Sequence, residues 1–308
     1  MRLAVLDLGT NTFHLLIVER GSEGEVRFLS KNKIYVKLAE EGIEHIGQAA
    51  FQRGLAALRT FKTELDIAGV LSPNIRAFGT AALRTADNAP DLLHQAAGIL
   101  GIRPEIIPGE REAELIHKGV RQAVPFPAGR RVLIMDIGGG SVEFIIADRE
   151  QVFWQKSFPV GVAVLWRAFH HNEPITQEEV QQIESHLEAA LHELWQAISR
   201  YPSSTLVGAS GTFDVIDIFL LDPAEKPELY GYIPVMDFYP LYKLLLRSTL
   251  AERRAMPDLP AERAEMVVAA LVLIRVVLKK VGIGEIYTSA YAMKEGMLEE
   301  MLEVRSEG

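Results

Sequence analysis

The residues best suited to chemistry form the run Asp136-Ile137-Gly138-Gly139-Gly140-Ser141-Val142-Glu143. Three consecutive glycines remove every Cβ from a turn, so several backbone N–H groups can converge on one anion. Ser141 adds a hydroxyl donor, and Asp136 and Glu143 supply hard carboxylate oxygens of the kind Mg²⁺ accepts, directly or through water. No Gly-Lys-Ser/Thr follows the glycines, which excludes a P-loop. A strand-like segment follows the turn where a dinucleotide fingerprint needs a helix. Glu112 is the sharpest isolated acid: a helix-borne carboxylate can orient and deprotonate a water, although a glutamate at a helix start also complements the dipole. Gly208-Ala209-Ser210-Gly211-Thr212 stands between a strand and a helix. It offers a second anion site at a helix N-terminus, or an ordinary cap. Arg84 is a candidate phosphate clamp. The histidines form no HExxH pair; His14 is a weak substrate-contact candidate, and His170-His171 reads as a solvated surface pair.

These groups need elements to hold them. Residues 3–6 and 13–19 are β-branched-rich runs flanking Asp7-Leu8-Gly9-Thr10-Asn11, which reads as strand, tight polar turn, strand. Further strands are expected at 33–38, 75–79 and 106–107, with helices at 47–65, 91–100 and 110–120. The stretch 124–129, with two prolines and a glycine, is the best linker, so we expect domains at 1–124 and 125–308. The last helix of the second domain is free to pack back on the first. After the linker come strand–turn–strand at 131–148, helices at 177–200, 238–255 and 261–281, and strand–loop–helix units at 206–217 and 286–298. Residues 4–19 set against 133–148 expose an internal repeat. Asp7 falls on Asp136, Gly9 on Gly138, and Thr10-Asn11-Thr12 on Gly139-Gly140-Ser141. Alternating strands and helices imply an α/β architecture with mixed sheets.

The 308 residues fit two domains, and 48% hydrophobic with 24% charged residues marks a globular chain. There is no cysteine, which excludes disulfides and thiolate chemistry and suits a reducing compartment. With no secretory pattern at its start, we expect a cytoplasmic protein. The most apolar segment, 266–278, is interrupted by Arg275 and is too short for a membrane span, so a core helix is expected and no membrane. A net charge of −9 argues against nucleic-acid polymers as partners and requires any phosphate site to be built from local donors.

Taken together, Asp7-Leu8-Gly9-Thr10-Asn11-Thr12-Phe13-His14, Gly79-Thr80 with Leu83-Arg84, Gly109 with Glu112-Ala113, the 136–143 run, Gly161-Val162 and the 208–212 run resemble the exopolyphosphatase/guanosine pentaphosphate phosphohydrolase (Ppx/GppA) family. That family belongs to the sugar kinase/Hsp70/actin superfamily, and the motifs cover residues 3 to about 300 in the family's order. The resemblance implies two ribonuclease-H-like (actin-like ATPase) domains with the active site in the cleft between them. It also implies Mg²⁺ or Mn²⁺ dependence and release of terminal phosphate from polyphosphate or guanosine pentaphosphate. Carried over by motif, Glu112 activates the water, and Asp136 with Glu143 organises the metal. Gly138, Gly139, Gly140, Ser141, Gly208, Ser210 and Gly211 cradle phosphates, with Asp7, Gly9, Thr10, Asn11 and Arg84 facing them from the first lobe. The family also makes a homodimer plausible.

Two departures bear on this. The family's Ser-Gly-x-Glu-Glu is here Pro108-Gly109-Glu110-Arg111-Glu112: the second glutamate is retained, and Arg111 either pairs with substrate or faces solvent. Longer members continue into helical C-terminal domains absent from this sequence, so strong processivity on long polymers is not expected. The competing readings are a polyphosphate or nucleotide phosphotransferase and a non-catalytic guanosine alarmone sensor. Glu112 ranks hydrolysis above the sensor.

Overall fold

The computed structural model describes residues 1–127 and 129–303; Ala128 of the expected linker and residues 304–308 of the expected second domain lie outside them. The first sheet is a meander of β1 (Arg2–Leu8), β2 (Thr12–Arg20) and β3 (Val26–Tyr35), extended in parallel by β4 (Ile75–Gly79) and β5 (Glu105–Ile106). Its order is β3-β2-β1-β4-β5. β1 reads as an almost unbroken apolar run because both its faces are covered. Four helices belong to this half of the chain: α1 (Gln48–Ile67), α2 (Ala81–Thr85), α3 (Ala89–Leu100) and α4 (Gly109–Ala123). α1 buries the stripe Leu55, Leu58, Phe61 and Leu65, as its periodicity predicts.

The second sheet repeats the plan. β6 (Val132–Ile137), β7 (Val142–Ala147) and β8 (Val152–Phe158) form the meander, and β9 (Thr205–Ala209) and β11 (Glu285–Ser289) extend it in parallel. β10 (Tyr230–Pro234) adds an antiparallel edge, giving β10-β11-β9-β6-β7-β8. Both sheets therefore carry the ribonuclease-H-like strand order, flanked by helices. The helices here are α5 (Val162–Phe169), α6 (Gln177–Ala190), α7 (His192–Arg200), α8 (Gly211–Leu220), α9 (Val235–Arg247), α10 (Leu250–Ala255), α11 (Val267–Val281) and α12 (Met293–Glu303).

Several boundaries differ from expectation for local reasons. The helix expected over 177–200 breaks at Leu191, whose backbone leaves helical geometry (φ −96°, ψ 19°) while its side chain stays buried, so the apolar pattern runs on through the break. The helix expected over 238–255 breaks because Thr249 and Glu252 form a capping box that starts α10. The helix expected from 261 begins at Val267, after a run of turns. The third strand begins at Val26, well before residue 33. β8, β10 and α5 had no strong period to announce them. α11 is a core helix as expected, and no helix among the described residues is long and apolar enough to cross a membrane.

The two halves exchange helices. α4 packs on β7 and β8 of the second sheet, while α12 packs on β1 of the first and along α4. Their shared core joins Leu3, Val5 and Leu16 of one sheet to Val132, Ile134 and Ile145 of the other. The crossing is close because it is made by glycines: a Cβ on Gly119 would lie 1.9 Å from the Ala292 carbonyl oxygen, and one on Gly296 would lie 1.9 Å from that of Leu115. Each glycine stands four residues after the residue whose carbonyl the other touches, as an approximate two-fold relation requires. Arg111 belongs to this seam. It pairs with Glu114 and with Glu300 of α12, beside Arg121–Glu299 (2.8 Å) and Lys118–Glu300 (2.9 Å). We expect Gly296→Ala to lower stability by about 1–3 kcal/mol through overpacking against backbone, despite alanine's better helix propensity. Thermal unfolding measures this, and an unchanged Tm would refute close packing at the crossing.

Candidate active site

Both hairpins that carry the repeated motif close with the same bond. Gly9 N donates to Thr12 O at 3.1 Å, and Gly138 N donates to Ser141 O at 3.0 Å. Strand register then places Asp7 opposite His14, and Asp136 opposite Glu143. The carbonyls of Gly138, Gly139 and Gly140 accept from the amides of Val162, Ala163 and Gly161 at the start of α5. In the first lobe Thr10 O accepts from Leu38 N, and Asn11 O accepts from Val36 N and Lys37 N. With their carbonyls turned away, both loops present their amide side to the space between them.

That space is a cavity of about 90 Å³ between the lobes, lined by Asp7, Gly9, Thr10, Asn11, Glu112, Asp136, Gly138, Gly139, Gly140, Ser141, Glu143, Ser210 and Gly211 among others. Two expected site residues lie elsewhere. Arg84 stands behind Glu112, with Nη1 donating to Ile107 O at 2.7 Å and to Glu112 Oε2 at 3.3 Å. Gly208 lies under Phe213, whose ring a Cβ would meet at 2.0 Å, so its small size serves packing.

The carboxylates are buried and short of positive charge. Burial pushes Asp7 up to about 7, with Lys294 opposing and Asp136 and Glu295 adding to it. Burial pushes Asp136 up to about 6 against the Ser210 hydroxyl and Lys294. Glu143 is raised to about 7 by burial and then by Asp136, although its Oε1 accepts from Ser141 Oγ at 2.7 Å and Ser157 Oγ at 2.6 Å. Glu112, near the start of α4, is held well above the usual carboxylate range by burial and then by Glu143, with Arg84 opposing. His14 is held well below its usual range by burial, Lys294, Arg263 and Lys33, so it lines the cavity as a neutral ring.

Ser210 supplies a different signal. Its backbone (φ 69°, ψ 177°) lies in a region that is essentially glycine's alone, at a cost of about 1–3 kcal/mol, and its hydroxyl serves Asp136. Strain of this kind persists where the surroundings enforce it, commonly at functional sites. We expect Ser210→Gly to raise stability by about 1 kcal/mol as that strain is released. Thermal melts read this; a loss of stability would show that the conformation is unstrained.

The sequence profile of the Ppx/GppA phosphatase family matches residues 17–305. The chain belongs to the Ppx/GppA phosphatase family. Among solved structures, an exopolyphosphatase from Cytophaga hutchinsonii has a TM-score of 0.93 and 37% identity over 99% of this chain and 98% of that one. The Ppx/GppA enzyme of Aquifex aeolicus shares the fold (TM-score 0.78, 22% identity, 97% and 99% covered). A guanosine-5'-triphosphate,3'-diphosphate pyrophosphatase from Vibrio campbellii is 32% identical over 97% of this chain and 59% of its own length. The chain thus spans about 59% of the length of the curated relatives it matches.

Within this Ppx/GppA member, four groups near the carboxylates had no assigned site role in the sequence, Thr80 being quoted only within the Gly79-Thr80 motif. Ser157 on β8 holds Glu143, and its strand was not expected. Lys294 at the head of α12 opposes the charges of Asp7 and Asp136 while pairing with Glu295 at 3.1 Å. Thr80 lines the cavity from the turn before α2. Arg263 lines it from the turns before α11, its guanidinium over the Tyr35 ring at 5.3 Å and against Gly211, where a Cβ would lie 1.7 Å from Nη2. Conversely, His170 is buried and faces Glu173 at 3.3 Å, contrary to the surface expected for it, whereas His171 is exposed.

Proposed function

We propose that the protein is a phosphoanhydride hydrolase that removes the terminal phosphate of inorganic polyphosphate or guanosine pentaphosphate. The observation that carries this reading is the convergence of Asp7, Glu112, Asp136 and Glu143 with two amide-lined hairpins on one cavity of about 90 Å³. A cavity lined by these groups can receive the terminal phosphate of a chain.

In this mechanism the amide sides of the 9–12 and 138–141 turns bind the terminal phosphate oxygens, with the Thr10 and Ser141 hydroxyls beside them. Thr10 Oγ1 already accepts from Ala82 N at 3.1 Å, which leaves its proton for a phosphate oxygen. Asn11 Oδ1 is buried without a partner beside the same turn. Glu112 orients a water and takes its proton as the oxygen attacks phosphorus. The bridging P–O bond breaks, the shortened chain departs with the bonding electrons, and Glu112 passes the proton to solvent. Arg84, bonded to Glu112 and to Ile107 O, keeps the carboxylate facing the water.

The donor set fits a hard divalent cation. Asp136 and Glu143 are directly opposed across β6 and β7, and among the described residues no three His, Cys, Asp or Glu side chains form a cage. One or two carboxylates completed by water and substrate phosphate is Mg²⁺'s habit, and Mn²⁺ accepts the same hard donors. Asp136 and Glu143 would hold it, and when bound it neutralises charge on the phosphate oxygens.

The test is phosphate release with Mg²⁺ or Mn²⁺, comparing kcat/KM for short polyphosphate, long polyphosphate and guanosine pentaphosphate. Metal-dependent release from any of the three supports the reading. Formation of ATP from ADP in place of free phosphate, or tight binding of guanosine pentaphosphate without turnover, would overturn it.

A further inference from the structure

Arg253 on α10 has no exposed surface and lines no part of the cavity, yet its guanidinium binds three separate segments. Nε donates to Ala264 O at 2.7 Å, Nη1 to Ser248 O at 2.6 Å, and Nη2 to Glu173 Oε1 at 2.7 Å. A fully buried arginine is costly unless every such bond is made, and lysine cannot reproduce the planar fork.

What this fork holds is the stretch between α10 and α11. Its own backbone bonds are short-range: Arg263 N to Pro260 O, Ala264 N to Ala261 O, and Met266 N to Arg263 O. Four consecutive residues there point to different tasks. Arg263 lines the main cavity and the smaller one beside it. Ala264 gives its carbonyl to Arg253. Glu265 reaches Lys37 of the first lobe at 2.6 Å and Arg254 at 3.2 Å. Met266 Sδ accepts from Asn11 Nδ2 of the first lobe at 3.4 Å.

We propose that Arg253 is a positioning residue for substrate binding: by fixing the 263–266 turn it sets Arg263 against the phosphate chain and Glu265 across the cleft. This rests on the reading of the cavity as a phosphate site. Arg263 has no carboxylate partner among the described ion pairs, so its charge is free for an anion, and Gly211 allows it to lie against the start of α8. Binding, and not the bond-breaking step, is what Arg253 governs, because Glu112 is held separately by Arg84.

Two measurements on Arg253→Lys and Arg253→Met test this. In hydrogen exchange of the free protein, amides of residues 263–267 and 36–38 should exchange at least about tenfold faster, the loss expected when a charged hydrogen bond is removed, while β6 and β7 stay unchanged. In calorimetry with Mg²⁺ on a Glu112→Gln background, which stops turnover of the ligand, inorganic tripolyphosphate should bind about tenfold more weakly, and adding Arg253→Lys to Arg263→Gln should cost nothing further. Unchanged exchange at 263–267, uniform acceleration across the second sheet, or additive losses in the double variant would overturn the proposal. So would failure of both variants to fold, which would make Arg253 a stability residue. If the Glu112→Gln protein with Arg253 intact binds no tripolyphosphate, the phosphate reading fails, while the exchange pattern still decides whether Arg253 holds the turn.

Discussion

Glu112→Gln lowers the rate of phosphate release by at least about a hundredfold, the lower end of general-base contributions, and leaves tripolyphosphate affinity within about threefold. The carboxylate lines the cavity from near the start of α4, and glutamine keeps its size and its contact with Arg84 while losing the proton acceptor. Burial first, and Glu143 second, raise its proton affinity, which suits a base that must accept a proton near neutrality. The sign of the pH dependence follows: kcat/KM falls as pH drops below the point where Glu112 becomes protonated, and Glu112→Gln removes that contribution to the acid limb while the raised Asp136 and Glu143 keep theirs. Steady-state kinetics from pH 5 to 9 measure both effects. A loss confined to KM would assign Glu112 to binding and leave the proton acceptor elsewhere.

Asp136→Asn acts in two opposite directions. Activity at millimolar Mg²⁺ falls by on the order of a hundredfold, because one of the two opposed carboxylates no longer offers a charged oxygen. The metal-free protein, by contrast, becomes more stable by about 1–3 kcal/mol near pH 8. Burial raises Asp136 to about 6 and Asp7 to about 7, against an ordinary aspartate value near 3.8. The native state therefore retains protons between about pH 4 and 7 that the unfolded chain has released. Stability present below about pH 4 is lost as pH rises through 6 and 7 in the wild type, and asparagine has no such loss at this position. Melts at pH 5 and pH 8 should show the gap widening with pH. Added Mg²⁺ should raise the wild-type Tm and leave the variant's unchanged. A variant less stable than wild type at pH 8 would mean that the charge is already compensated within the fold.

What could be read in advance was whatever repeats or clusters along the chain. The 4–19 and 133–148 segments aligned because duplication preserved a hairpin whose closing bond is the same in both copies. Glu112 was legible because a carboxylate beside Pro108-Gly109 announces a helix start. Arg263 and Lys294 were not, since each comes to the carboxylates from a distant part of the chain with nothing adjacent in sequence to mark the encounter. Ser157, the direct partner of Glu143 across the β7–β8 hairpin, was hidden because β8 itself was not expected. Arg111 had two open fates, solvent or substrate; its partners are Glu114 one turn on and Glu300, 189 residues away. Helix breaks were lost for a simpler reason. A buried Leu191 serves the core equally well in a helix or between two helices, so periodicity passes over the break.

The exchanged helices imply that the two copies of the repeat are not separable units. Cutting the chain in the loop after α4 would leave each fragment with an exposed apolar sheet face and a helix that belongs on the other. The fragments should be insoluble alone and regain a common structure when mixed, as complementing halves do.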